Sequence, residues 1–537
     1  MSFYVHNSFC QMPKSPKLNL NILLHTLLFV AFCVILHIDL FLYINCKVLI
    51  MNPFKKLLGQ TAIYGLPSIL GRFLNYCLVF LHTNIFVTSN YGVQNYFYAI
   101  AAFMAVVLTY GMETAYFRYT SLSDNKDRVF STAQYSLYFT TIPILILLIV
   151  FAPQIASFLG YPNNEDYVVW FALMLSFDAL CAIPFARLRV QNKALKFASL
   201  KFFNIVVNIA FNLIFLLWFP TWYANAGGQG VIATLYTPDW NVEYVFLANL
   251  IASTLTFVLL LPSALSLKAG FDKKLWKQMF VYAFPLLFFG MAGIVNETFD
   301  RILLRYLLPS DTAEAQIGIY GACYKISILM TIFIQAYKYA AEPFFFSYSK
   351  EKDAKQTYAD LMTYFVIATS FIFLVTTLFM DVALLMIGKN FREGKEIIPI
   401  LLMANLFLGV FYNLSIWYKL SNQTKYGAYI AIVGAVVTIT FNLLLIPVIG
   451  YRGSAWATFI CYALMMVVSF VLGHKYYPIP YNYKKLVFYP VLAILLCLPI
   501  SFIPFSSVAA KYTLAAALAV VYLVLAYCCD LKKVIRR

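Results

Sequence analysis

Charged residues are scarce in this sequence of 537 residues. They make up 11% of the chain, whereas apolar and aromatic residues make up 62%. Soluble domains contain about a quarter of charged residues, which they need to cover a surface that faces water. The composition therefore excludes an ordinary soluble domain and indicates a chain that contacts lipid along most of its length.

Motifs of known catalytic and metal sites are also missing. The sequence has no CxxC pair, no zinc-ligand spacing, no phosphate-binding GxxxxGK[ST] loop and no Ser-His-Asp spacing. Its ten cysteines lie in or beside apolar runs, where small packing residues are expected rather than disulfide partners. We therefore expect a protein that is not an enzyme and that binds no metal or other cofactor.

Long apolar runs are abundant. Each has about 18 to 25 residues, the length that an α-helix needs to cross the hydrocarbon core of a membrane. Barrel strands would be about ten residues long and would alternate in polarity, which these runs do not. We predict an all-α integral membrane protein with about fourteen transmembrane helices. The predicted segments are 59–83, 93–115, 133–151, 166–189, 199–219, 243–267, 279–300, 316–343, 359–380, 396–418, 426–447, 453–474, 486–505 and 510–529.

The net charge of +17 does not indicate nucleic acid, because the basic residues mark one side of a membrane. Lysines and arginines cluster in 118–130, 187–198 and 268–277, whereas the intervening loops at 84–92, 152–165 and 220–242 have none. The positive-inside rule then places the basic segments and the C-terminus in the cytoplasm. One loop on the predicted outer side, near 381–395, departs from the rule because it carries Lys389, Arg392 and Lys395.

Two similar halves can be recognised within the sequence. Ordered matches over six predicted helices, with identical or nearly identical spacing, indicate an internal duplication. The first group of matches pairs Gln60, Tyr64 and Pro67 with Gln278, Tyr282 and Pro285. The second pairs Gly92, Tyr98 and Ile100 with Gly318, Tyr324 and Ile326, and the third pairs Phe211, Asn212 and Leu213 with Phe441, Asn442 and Leu443. Parallel repeats of this kind suit alternating access around a cavity between two lobes.

The repeat divides the chain into four predicted parts. These are an N-terminal extension (1–50), an N-lobe of six helices (51–270), a C-lobe of six helices (271–475) and two further helices with a cytoplasmic tail (476–537). The extension contains an additional apolar run but has no counterpart in the repeat. It is either an over-extended translation start, with Met51 as the natural beginning, or a genuine extra helix.

Several short motifs together carry a family resemblance. They are Gln60 to Pro67 with Gly71 and Arg72, Tyr91 with Gly92, Thr109 to Ala115, Ile183 to Arg189, Glu342 to Phe344, and Asn442 to Pro447 with Gly450 and Gly453. From residue 51 to the C-terminus the chain resembles the polysaccharide-transporter, or O-antigen flippase, branch of the multidrug, oligosaccharidyl-lipid and polysaccharide (MOP) exporter superfamily.

The resemblance implies a V-shaped, MATE-like pair of six-helix lobes in the bacterial inner membrane. It also implies a cargo of undecaprenyl-diphosphate-linked oligosaccharide, as used for O-antigen, capsule or exopolysaccharide. Glycosyltransferases and a polysaccharide polymerase would be the associated enzymes, and membrane lipids would surround the protein. A lipid II flippase and a cation-coupled multidrug antiporter are the alternatives, followed by a membrane-bound polymerase, which would need larger external loops.

Ionisable residues at membrane depth are the candidate functional residues, because each costs several kcal/mol unless it has a partner or a watery cavity. Cations could bind a diphosphate, arginine through its planar fork and lysine as a point charge. The predicted substrate-binding residues are Arg72, Asn75, Lys325, Lys338 and Arg301, and the carboxylates proposed for coupling to protons or sodium ions are Asp178, Glu113 and Glu342.

A structural role is the alternative for most of these residues. Lys338 with Glu342, and Glu297 with Arg301, are four residues apart on a helix and could form ion pairs. Arg301 would also serve as an anchor at the outer membrane interface. Arg72 has no acidic residue within one helical turn, which favours a functional role for it.

Overall fold

The computed structural model describes residues 78–349, 351–421, 423–503 and 507–531, and this part of the chain is helical without any β-strand. Thirteen of its helices are long and apolar enough to cross a membrane. We number them α1 to α13: Thr88–Leu122, Lys126–Val150, Glu165–Val190, Ala194–Asn225, Val242–Ala264, Lys273–Leu307, Ser310–Lys338, Ala354–Leu378, Lys389–Leu420, Lys425–Ile449, Tyr451–Tyr476, Tyr483–Ile500 and Val508–Asp530. Helix α7 continues to Tyr348.

The thirteen helices correspond one to one to the last thirteen predicted segments, which confirms the all-α membrane fold. The first predicted segment, 59–83, lies outside the described residues except for its end, where 78–85 are helical. The extension 1–50 also lies outside them. Helices are the structure expected here because each satisfies its own backbone hydrogen bonds, which lipid cannot do.

Helix α1 is interrupted within one of the sequence motifs. Tyr110 and Gly111 have φ angles of 34° and 75°, in the left-handed region, and the helix resumes at Met112. A Cβ on Gly111 would lie 3.0 Å from the carbonyl oxygen of Ala283, so this turn packs closely against α6. The Tyr110 hydroxyl and Ser136 Oγ are 2.7 Å apart, which ties the turn to α2.

The basic loops of the first half come together at one end of the molecule. Arg187 donates a hydrogen bond of 2.8 Å to Asp127, and Arg128 and Asp272 form an ion pair of 2.6 Å. Asp272 also caps α6, and hydrogen bonds from the Leu275 N–H, together with the charge of Arg128, hold the pKa of its carboxyl below the usual value. We call this the inner end and the opposite end the outer end.

We predict that the inner end faces the cytoplasm, because basic loops are retained there. Single cysteines at positions 126 and 193, in a variant without other cysteines, should resist an impermeant thiol reagent added to intact cells. They should react once the cells are permeabilised. Labelling of both positions from outside intact cells would reverse the orientation.

At the outer end the two halves of the chain cross closely. Gly92 on α1 and Gly318 on α7, which are equivalent positions of the sequence repeat, lie at the crossing. A Cβ on Gly92 would be 1.8 Å from the carbonyl oxygen of Glu314, and one on Gly318 would be 2.0 Å from that of Thr88. Only glycine permits such an approach of two backbones.

The segment that carries Lys389, Arg392 and Lys395 also belongs to the outer end. It forms a 3₁₀-helix at the start of α9, and Phe391 within it is buried with its ring edge-on to Tyr91. Arg392 donates hydrogen bonds to the carbonyl oxygen of Ile387, at 3.2 and 3.3 Å. The segment that carries these basic residues therefore packs against the contact between the halves.

Candidate functional site

Two adjoining cavities lie between the outer crossing and the inner end. The small cavity, of about 270 Å³, is lined by α1, α6 and α7, and the large cavity, of about 820 Å³, is lined by helices of the second half. Glu297, Tyr324 and Thr331 border both. The polar residues that line these cavities belong to membrane-spanning helices, where an ionisable group needs a partner or a watery cavity.

The small cavity brings both halves of the chain together. Asn95 and Tyr98 of α1 face Arg301 of α6 and Lys325 of α7 across it. The Tyr98 hydroxyl accepts a hydrogen bond of 2.9 Å from Asn249 Nδ2, and Asn95 Nδ2 donates to the carbonyl oxygen of Tyr91 at 2.7 Å. These bonds hold the two side chains in place.

Sequence reasoning did not select Tyr98 and Tyr324 as site residues, although a signal for them was present. They are equivalent positions of the repeat, and both line the small cavity. A duplicated transporter with its cavity between the halves should present repeat-related side chains from both sides. The repeat-related positions near the crossing therefore indicate cavity residues in the sequence.

Arg301 is held by a buried ion pair. Its Nη1 atom lies 2.9 Å from Asp300 Oδ1 and donates to the Glu297 carbonyl oxygen at 2.9 Å, and its guanidinium lies 4.6 Å from the centre of the Tyr324 ring. Tyr320 donates a short hydrogen bond to the second oxygen of Asp300. Every charge in this group thus has a partner.

Two structural alternatives for Arg301 are wrong. Its ion pair is with the neighbouring Asp300 and not with Glu297, because the Arg301 side chain turns back along α6 and donates its hydrogen bond to the main-chain oxygen of Glu297. It is also no interface anchor, since only 7% of the residue is exposed. Arg305 is likewise enclosed, with its guanidinium 5.2 Å from the centre of the Tyr161 ring.

Lys325 and Lys338 lie at different depths on α7. Lys325 is half-buried in the small cavity, whereas Lys338 is exposed in the large one, with its Nζ 4.9 Å from the centre of the Tyr412 ring. The expected ion pair between Lys338 and Glu342 is replaced by one between Glu342 and Lys419, at 2.6 Å. Lys419 approaches from the neighbouring α9, a contact that helical spacing along α7 does not reveal.

The other predicted carboxylates lie away from the two cavities. Glu113 forms an ion pair with Arg189, at 3.1 Å, in which both side chains are nearly half exposed. Asp178 on α3 has Ser253 and Lys201 as polar neighbours. Neither residue lines the small or the large cavity. Arg72 and Asn75 lie outside the described residues.

The described residues contain no group of three or more His, Cys, Asp or Glu side chains that could hold a metal ion. The polar groups of the cavities are instead lysines, one buried arginine, the carboxylate of Glu297, amides, hydroxyls and aromatic rings. Such groups suit a ligand that offers anionic oxygens and hydroxyls.

The model of the polysaccharide biosynthesis protein family matches residues 85–393. The structure is similar to that of the lipid II flippase MurJ in an inward closed conformation, with a TM-score of 0.63, 15% identity, and coverage of 86% of this chain and 98% of that one.

Two MATE structures are also similar. One is a mutant of the Vibrio cholerae MATE transporter VcmN, with a TM-score of 0.53, 14% identity, and coverage of 79% of this chain and 97% of that one. The other is an outward-facing multidrug resistance MATE family transporter of the MOP superfamily, with a TM-score of 0.52, 14% identity, and coverage of 80% and 97%. These likenesses show a shared fold. A comparison with curated protein sequences gives no significant match.

Proposed function

Because the chain belongs to the polysaccharide biosynthesis protein family, within the MOP superfamily, we propose that it moves a lipid-linked oligosaccharide across a membrane. The cargo of our proposal is an undecaprenyl-diphosphate-linked unit of O-antigen, capsule or exopolysaccharide, and the membrane is the bacterial inner membrane. The proposed partners are the glycosyltransferases and the polymerase that make and use such units.

The observation that carries the proposal is the small cavity. It lies between residues of both halves, it is bordered by Arg301 and Lys325, and the two halves cross closely on its outer side. A polar head group would enter from the inner end while its lipid tail stays in the membrane. Opening of the outer crossing would then expose the head group to the other side.

Two alternatives from the same superfamily are distinguished by cargo. A lipid II precursor has the same diphosphate-lipid chemistry and would suit the same cationic groups. A cation-coupled drug exporter would favour an acidic pocket, whereas the lysines and the arginine that line these cavities outnumber Glu297, the one carboxylate among their lining residues. Coupling to protons or sodium ions stays part of the proposal, with Asp178, Glu113 and Glu342 as the candidate carboxylates. Of these, Glu342 pairs with Lys419, a residue that lines the large cavity.

The test is transport by purified protein in liposomes. A fluorescent undecaprenyl-diphosphate oligosaccharide should become accessible on the opposite leaflet, and Lys325→Ala should slow this about 10- to 100-fold, since a lost charge-assisted hydrogen bond costs about 1.5 to 3 kcal/mol. Arg72→Ala should abolish transport, and Arg72→Lys should restore part of it because lysine lacks the bidentate fork.

The matched control is Lys484→Ala, which removes an exposed lysine at the start of α12 and should transport normally. Lipid II and a cationic drug are run as separate cargoes. Transport of the drug without the lipid-linked oligosaccharide would contradict the proposal, and transport of lipid II alone would replace the cargo.

A further inference from the structure

The small cavity and the inner part of the large cavity differ in charge. Around the small cavity, the cations Arg301 and Lys325 are balanced by Asp300 and Glu297, which leaves no net charge. At the inner part of the large cavity, Lys338, Lys419 and Lys425 stand against one carboxylate, Glu342, which leaves two positive charges. The surplus of positive charge therefore lies toward the inner end.

The two regions are too far apart for one diphosphate to contact both. Lys325 and Lys338 are thirteen residues apart on α7, and at 1.5 Å per residue their main chains are about 20 Å apart along the helix. This separation is several times the length of a diphosphate group. A lipid-linked head group would therefore place different chemical groups in the two regions.

Resting on the proposed function, we propose that the cavities divide the head group between them. The lysines at the inner end, with Lys338 as their central member, bind the diphosphate, and the small cavity binds an uncharged sugar of the oligosaccharide. This division assigns Lys325 and Arg301 to the sugar and not to the diphosphate. Each region then receives the group whose charge complements its own.

The polar groups of the small cavity suit sugar hydroxyls, which both donate and accept hydrogen bonds. Glu297 provides acceptor oxygens. The amide nitrogen of Asn95 donates to the Tyr91 carbonyl oxygen, so the side-chain oxygen is the group with which Asn95 would accept a hydrogen bond from a sugar hydroxyl. The Tyr98 hydroxyl oxygen accepts a hydrogen bond from Asn249, so its O–H would donate to a sugar hydroxyl. The ammonium of Lys325 provides further donors.

A diphosphate would be poorly placed in the small cavity. Glu297 borders it and would repel an anion, while Arg301 is already held by Asp300 and by the Glu297 main chain. At the inner end, by contrast, Lys338 is exposed to the large cavity, with the Tyr412 ring as its neighbour. An ammonium so placed gains from an anionic ligand.

The test is binding of two probes to the full-length protein by native mass spectrometry. The probes are undecaprenyl diphosphate and undecaprenyl diphosphate that carries a neutral N-acetylhexosamine disaccharide. Wild-type protein should bind the disaccharide probe about tenfold more tightly. Lys338→Gln should weaken binding of both probes by a similar factor, while Glu297→Gln and Tyr98→Phe should remove the preference and leave binding of the bare diphosphate unchanged.

The possible outcomes distinguish failure of the proposed function from failure of the proposed division of the head group. If wild-type protein bound neither probe, the proposed function itself would fail. If both probes bound equally well, or Lys338→Gln weakened only the disaccharide probe, the division would be wrong while the proposed function stood. A third probe with a uronic acid in place of one sugar should bind no better than the neutral one, and a gain would overturn the assignment to an uncharged sugar. Lys484→Gln is the control for nonspecific loss of positive charge.

Discussion

Gly92→Ala is expected to abolish transport while the protein remains inserted in the membrane. The new Cβ would lie 1.8 Å from the carbonyl oxygen of Glu314, a main-chain atom that cannot turn aside. Helices α1 and α7 must then separate, and the conformation in which the outer end is closed can no longer form. Alanine favours helix more than glycine does, so a weakened α1 would not account for the loss. Gly318→Ala should act in the same way, because its Cβ would meet the carbonyl oxygen of Thr88 at 2.0 Å.

The conformation can be measured directly with a cysteine at position 95, on the wall of the small cavity. In otherwise unmodified protein this cysteine should resist an impermeant reagent from the outer side, and with Gly92→Ala it should react. Gly270→Ala is the matched control, since a Cβ there meets nothing within 4 Å. A protein with Gly92→Ala that transports normally and keeps the cysteine protected would show that the crossing does not close the outer end.

Side-chain contacts at the outer end should matter less than the two glycines. Tyr161 donates a hydrogen bond of 2.9 Å to Glu314, and Arg305 lies 3.7 Å from the same carboxylate. Such contacts can be lost one at a time, because neighbouring side chains or water can take over a partner. A Cβ at the crossing would clash with main-chain atoms, and no other side chain or water can relieve that clash.

Asp300→Ala is expected to give the largest loss of stability. Asp300 and Arg301 are 3% and 7% exposed, so removal of the carboxylate leaves a buried guanidinium without its counter-ion. Breaking a buried pair in this way costs about 3 to 5 kcal/mol. We therefore expect a marked fall in the thermal unfolding midpoint in detergent and a lower abundance in membranes.

The double variant Asp300→Ala with Arg301→Met separates loss of the pair from loss of a packed side chain. Without the guanidinium no unpaired charge remains, so much of the lost stability should return. Glu113→Ala is the control, because its pair with Arg189 is nearly half exposed and such pairs contribute about 0 to 1 kcal/mol. Equal destabilisation by Asp300→Ala and Glu113→Ala, or a double variant no better than the single one, would contradict the buried-pair explanation.

Helix number and family were predictable from the sequence because both depend on local or ordered patterns. Hydropathy over about 20 residues decides whether a segment can cross a membrane, and it identified all thirteen helices of the described chain. The basic loops indicated a common end because their charges are counted without knowledge of packing. The motifs that carry the family resemblance likewise keep their order along the chain.

Which charges pair was decided only by the tertiary structure. Helical spacing offered Glu297 to Arg301 and Lys338 to Glu342, but Asp300 and Lys419 are the partners found. Spacing shows which side chains of one helix can meet, whereas the pair that forms also depends on side-chain direction and on neighbouring helices. Lys419 is 77 residues from Glu342 in sequence, so no local pattern links them.

The repeat-related residues show the same difference between what the sequence reveals and what the tertiary structure reveals. Gly92 and Gly318, and Tyr98 and Tyr324, were visible in the sequence as equivalent positions of a duplication. That the glycines form a helix crossing and the tyrosines line the small cavity appears only when α1 and α7 are packed together. The sequence by itself determined the membrane helices, the basic loops that predict their orientation, and the family, because these follow from hydropathy, charge and order along the chain. Only the tertiary structure decided the cavities and their ion pairs, because these depend on contacts between helices far apart in sequence.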